Sequence, residues 1–172
     1  MDNLAGRAIS EGSSWPIELS TDEVRSLIKK RIYQEWNNSW KLSSADKGRH
    51  FFGVCPGIPV KPWFERYYLF RKMSVHINRL RLGHATTPEY MHRVGLRDHP
   101  FCRCESGARG DINHALLGCG LSRRKIDPFY DEVRGKIEFP TNATILLSCL
   151  SEAGQLGKMV LQFIISLGCD IF

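Results

Sequence analysis

The sequence lacks a hydrophobic run long enough to cross a bilayer. Its most apolar stretch, residues 159–167, is interrupted by Gln162. It falls well short of the roughly 20 residues a span needs, so it reads as a core helix and no membrane partner is expected. The first fourteen residues are small and polar, without the apolar centre of a secretory peptide. An intracellular chain, nuclear or cytoplasmic, is expected. Cysteine is modest, six in 172 residues. In a reducing compartment these would not build a disulfide framework, and a metal better explains any that cluster. There is no repeat and no low-complexity tract, and the length suits one or two small domains. Acids are in the minority, 18 against 24 Lys plus Arg, for a net charge of +6. That balance favours polyanionic partners.

What is present is mostly helical pattern. Gly12, Ser13, Ser14 and Pro16 break continuity near residue 15. Ser20 with Glu23 forms a capping-box pattern, after which Val24, Leu27, Ile28, Ile32, Trp36 and Trp40 recur at helical spacing to about residue 41. Trp36, Trp40 and Trp63 are expected in the core. Glycines and prolines between 42 and 62 predict a loop, with a short extended piece over 51–54. Pro62 suits a first helical turn, and Leu69, Phe70, Met73, Ile77 and Leu80 predict a second amphipathic helix ending at Gly83. His84 would cap that end. Further helices are expected over 123–136, begun or interrupted at Pro128, and over 153–167. The fold class is therefore mainly α, a small helical domain with a zinc-stabilised loop-helix knuckle and little or no sheet.

The knuckle is where apolar residues run short. Between 102 and 119 the chain is rich in glycine and charge, so packing alone would hold it poorly. It carries Cys102, Cys104, His114 and Cys119, four ligands of the kind that close a tetrahedral structural zinc site. A cysteine pair on a turn supplies two sulfurs, and a helix begun near Asp111 supplies the other two. His114 and Cys119 are five apart, so they face one side only if the helix ends before Cys119, as Gly118 and Gly120 permit. The single residue between Cys102 and Cys104 departs from the commoner two. Catalytic zinc is disfavoured, because all four positions are filled and Glu105 is the only glutamate nearby.

Several stretches resemble one family. Asn78-Arg79-Leu80-Arg81-Leu82-Gly83-His84, Tyr90, Cys102-Arg103-Cys104, His114-Ala115-Leu116-Leu117 and Cys119 follow the order of the carboxy-terminal tail of arthropod-type non-LTR retrotransposon polyproteins. Trp36 to Trp40 resembles the paired tryptophans of that tail, and Leu161-Gln162-Phe163-Ile164 with Leu167-Gly168 its closing helix. Residues 2–8 resemble the end of the ribonuclease H domain, which makes Asp2 a remnant of the last metal-binding carboxylate. Two Mg²⁺ ions would need several further carboxylates from upstream, so Mg²⁺ belongs only with that missing part and no activity is expected of this chain. The resemblance divides the chain into a ribonuclease H remnant and linker (1–15), a helical region (16–100), the zinc loop and helix (101–121) and C-terminal helices (122–172).

The partners implied are RNA or DNA and the upstream reverse transcriptase and ribonuclease H domains. Arg71, Lys72, Arg79 and Arg81, with Arg103 on the zinc loop, could meet phosphates. They could equally form a solvated face. Tyr90 could stack on unpaired bases, whereas Phe101 is expected to pack on the zinc loop. The alternative to a nucleic-acid module is a tail that docks on the upstream domains through the Val24/Ile28/Ile32/Trp36 stripe.

Overall fold

The computed structural model describes residues 7, 10–12, 19–104, 106–152 and 154–168. The chain divides into two compact units, Met1–Trp36 and Asn37–Phe172. Among the described residues there are helices and two isolated β-bridges but no strand or sheet.

Helix α1 (Thr21–Ser43) begins in the first unit on the expected box. The Ser20 amide donates to Glu23 Oε2 (2.8 Å) and the Glu23 amide to Ser20 Oγ (3.3 Å), satisfying two orphan donors reciprocally. These bonds hold the Glu23 carboxyl below its ordinary range. The apolar stripe is present but uncovered. Val24, Leu27, Ile28, Ile32 and Trp36 are 41–58% exposed, and the Trp36 ring meets the edge of Tyr33, 6.5 Å away. Trp36, more than half exposed, is thus not a core residue: among the described residues of its unit none of the apolar stripe is buried.

In the second unit Trp63 is buried in the core as expected, whereas Trp40 is half-buried and lies outside the core cluster. Trp40 lies 5.8 Å from both Phe51 and Phe52 and donates Nε1–H to the Cys55 carbonyl. The segment expected to be extended is instead helix α2 (Arg49–Val54), entered through Gly48 at φ 73°. Neighbouring residues of a strand point to opposite faces, so a strand could not bring both phenylalanines onto one indole.

Trp63 opens a 3₁₀ turn, Trp63–Arg66, behind Pro62. Helix α3 (Arg71–Leu82) starts later than its apolar pattern suggests, because Phe70 is its extended N-cap. It ends at Gly83 (φ 74°), where the Gly83 amide reaches Leu80 O (3.1 Å) and the His84 amide reaches Arg79 O (2.8 Å). This is a Schellman closure, and the left-handed φ explains the glycine. His84 caps with its backbone; the imidazole on this helix end is His50, 3.0 Å from the Leu80 carbonyl.

After α4 (Pro88–Arg93) and the knuckle come α5 (Arg123–Val133), α6 (Ala143–Cys149) and α7 (Gln155–Leu167). Helix α5 runs through Pro128 without breaking. Helix α6 has no counterpart among the expected elements, although Asn142, whose Oδ1 accepts from the Ile145 amide (3.0 Å), is an N-cap signal. The core joins Ile77 and Leu80 of α3 to Phe129, Leu146, Leu147, Val160 and Ile164. Phe129 and Phe163 stack at 3.9 Å.

Candidate metal centre

The knuckle begins as a narrow loop whose two sides hydrogen-bond. Gly110 donates to Pro100 O and Cys102 to Ala108 O, both at 2.9 Å, around a bridge between Phe101 and Arg109. Gly110 has to be glycine, since a Cβ would sit 2.6 Å from Pro88 Cγ. This contact sets the loop against α4. Asp111 then starts the helical half, its Oδ1 accepting from the His114 amide at 2.6 Å. Ala115 and Leu116 anchor that half in the core, and Tyr130 donates to Leu117 O (3.2 Å).

From His114 to Gly118 the winding is π, not α. On an α-helix, residues five apart stand about 140° from each other. The wider i→i+5 turn brings them back toward one side. Cys119 follows in an extended conformation (φ −73°, ψ 121°), so the helix stops where the spacing requires.

The four side chains converge. One ligand atom from each of Cys102, Cys104, His114 and Cys119 lies within 4.8 Å of all the others. Cys102 Sγ is 3.7 Å from Cys119 Sγ, and Cys104 Sγ is 3.2 Å from His114 Nε2. The sulfur pair is far beyond a disulfide bond. With metal–sulfur bonds of about 2.3 Å, the edge of a tetrahedron is about 3.8 Å, close to that separation. The group could hold a metal ion.

Its electrostatics call for a cation. Hydrogen bonding from Ser106, at 3.0 Å, lowers the Cys104 thiol to about 6. Burial first, and the neighbouring cysteines second, push Cys119 up to about 11. One thiolate therefore forms readily and suppresses the next, because like charges a few ångströms apart disfavour each other. A divalent ion at the centre would remove that conflict.

The other expected site residues are scattered. Arg71, Lys72 and Arg79 are exposed on α3, and Lys72 and Arg79, seven apart, share a face. Arg103 is exposed between the two cysteines. Arg81 has to be corrected: it is 2% exposed and faces inward one turn after Ile77. Its Nη1 donates to Leu147 O (2.7 Å) near the end of α6, its Nη2 to Ser151 Oγ (2.8 Å), and its guanidinium lies 5.3 Å over the Trp63 ring. Burial lowers its pKa. Phe101 is also corrected, being 47% exposed and stacked on His99 instead of packed on the loop. Tyr90 carries Arg93 over its ring at 5.1 Å. Asp2 lies outside the described residues.

Tyr68 escaped the sequence reading, and Phe70, expected in the apolar stripe of the second helix, is instead exposed at its N-cap. Alternation with the inward Tyr67 and Leu69 was the signal that could have found them. Between α4 and the knuckle there is also an open cleft of about 650 Å³, lined by His50, Tyr90, Arg93, Arg109 and Asn113 among others.

The chain is 26% identical over 153 residues to the retrovirus-related Pol polyprotein from type-1 retrotransposable element R1 of Bradysia coprophila. The match takes in 87% of this chain and 14% of that protein. The chain is retrotransposon-related. No protein-family model matches it, and no solved structure does. It spans about a seventh of its relative's length. Among the described residues no helix is long and apolar enough to cross a membrane.

Proposed function

We propose that this chain is a zinc-binding, nucleic-acid-contacting tail module of a retrotransposon polyprotein, with the ion structural and no complete active site in the chain itself. The observation that carries this is the convergence of three thiols and one imidazole within 4.8 Å. Soft sulfur donors with one imidazole in tetrahedral reach suit Zn²⁺. Cys102, Cys104, His114 and Cys119 would hold it and fill every position, leaving none for a reacting water. The ion supplies neutralisation of thiolates and closure of a loop that has little apolar anchorage of its own.

Nucleic-acid contact is supported by the exposed cations Arg71, Lys72, Arg79 and Arg103 and by the relationship to a polyprotein. Elemental analysis of the full chain should find one zinc per chain, and Cys104→Ser should abolish it. Zinc content unchanged by that substitution sinks the metal assignment. Fluorescence anisotropy with a labelled oligonucleotide should show affinity falling steeply with salt, as counterion release demands. Salt-indifferent binding would remove the phosphate contacts.

A second reading has its own observation. The exposed stripe Val24, Leu27, Ile28, Ile32 and Trp36 on α1 is the kind of face that docks on another domain. Under this reading the upstream reverse transcriptase and ribonuclease H domains are the partner. Leu27→Asp with Ile28→Asp should then abolish co-purification with those domains and leave zinc in place.

A further inference from the structure

We propose that Tyr68 and Phe70, flanked by Arg66, Arg71 and Lys72, form a stacking platform for the unpaired bases of a single-stranded nucleic acid. The proposal rests on the nucleic-acid reading above and adds to it the form of the strand and the residues that hold the bases.

The platform follows from how residues 63–72 are laid down. Trp63 is buried and donates Nε1–H to Asn78 Oδ1 (2.7 Å), while Tyr67 reaches inward to the Leu150 carbonyl. The backbone is extended at Tyr67 (φ −122°, ψ 127°) and again at Phe70 (φ −62°, ψ 145°). Successive residues of an extended segment point to opposite sides, so anchoring Tyr67 turns Tyr68 and Phe70 outward together. They are 107% and 89% exposed, the two most exposed large hydrophobic residues among those described. Among the described residues neither ring contacts another ring. Two residues of extended chain place them about 6.6 Å apart along the backbone, each offering a free π-face.

Charge selects the partner. Arg66, Arg71 and Lys72 are exposed, and among the described residues no carboxylate lies within ion-pair distance of any of them. The adjacent acid, Glu65, is engaged by Lys61 at 3.1 Å. The first turn of α3 carries no acid, so its cations add to the positive end of the helix dipole and are not neutralised by it. An apolar protein groove would be served by the rings alone. Rings interleaved with unpaired cations suit a polyanion that also presents flat apolar faces, which a single strand does and a duplex, with its bases stacked inside, does not.

The test uses the full chain purified with zinc and a short fluorescein-labelled oligothymidylate, with a duplex of equal length as comparison. Tyr68→Ala with Phe70→Ala should weaken single-strand binding about tenfold or more and leave duplex binding and circular dichroism unchanged. Tyr68→Trp with Phe70→Trp should retain wild-type affinity. If the unaltered chain binds neither probe, the nucleic-acid reading falls and the platform with it. If it binds and the alanine pair binds equally well, only the platform is overturned. Loss of association with the upstream domains, with oligothymidylate affinity intact, would make the surface a protein dock and overturn it too.

Discussion

Between residues 100 and 122 the most deeply buried side chains include two thiols, Cys104 and Cys119, at 6% and 2% exposure, beside Ala115 and Leu116. Across α5, α6 and α7 they include Ile126, Phe129, Val133, Leu146, Leu147, Val160 and Ile164, all at 4% or less. The first region converges on four polar ligand atoms, and the second on an apolar interior closed by a ring stack. A loop with so little apolar surface is fixed by donors that need a cation. The helices are fixed by the removal of hydrocarbon from water. The two regions should therefore answer to different perturbations.

The largest expected effect is on the knuckle. Structural zinc contributes on the order of 10–16 kcal/mol of apparent binding free energy in small zinc modules at neutral pH. Chelation, or Cys104→Ser, should make the amides over 101–119 exchange rapidly with deuterium while those of α7 keep their protection. If α7 loses protection at the same chelator concentration, the regions are one cooperative unit and the distinction fails. The reverse experiment is Leu147→Ala, which leaves a cavity in the core. It should cost about 2–5 kcal/mol in denaturant unfolding with one zinc per chain retained.

A finer division runs along α3, where Arg79 is exposed and Arg81 buried. Arg81→Ala removes two charge-assisted hydrogen bonds and should destabilise the chain by about 2–3 kcal/mol, with the salt dependence of oligonucleotide binding unaltered. Arg79→Ala should change stability by no more than about 0.5 kcal/mol and lower the salt slope by about one contact. Equal salt slopes for the two variants would erase the division.

Acidity sharpens the knuckle itself. Cys119, held near 11, keeps its proton in the metal-free chain and must release it when zinc binds. Cys104, held near 6, has already lost its proton above that pH. Since every ligand thiol that still carries a proton must release it, zinc affinity should rise with pH by at least one proton per ion between about 6 and 11, at least about 1.4 kcal/mol for each pH unit. Below about 6 the slope should steepen by a further proton as Cys104 is protonated. Competition titrations with a chromophoric chelator measure that slope, and a value below one proton per ion would show that Cys119 does not keep its proton in this way.

Helix ends were the most legible feature. Ser20 and Glu23 bond as their spacing implies, and Gly83 closes α3 as its position implies. The four converging residues, Cys102, Cys104, His114 and Cys119, were legible too, because their types and spacing already limit the chemistry. Less visible was α6, whose short apolar run lies between better-marked helices. The extended stretch expected at 51–54 is helical because Trp40 takes both phenylalanines.

The sequence by itself determined where helices could start and stop and which donors could gather, since caps, glycine turns and ligand types act within a few residues along the chain. Tertiary structure alone decided which side chains went inside. Arg81 shares the basic pattern of its neighbours, yet it is buried because α6 offers a carbonyl and Trp63 a ring face on that side. Phe70 shares the apolar pattern and is exposed, because Tyr67 is anchored inward beside it. Burial depends on partners far along the chain, which composition and spacing do not encode.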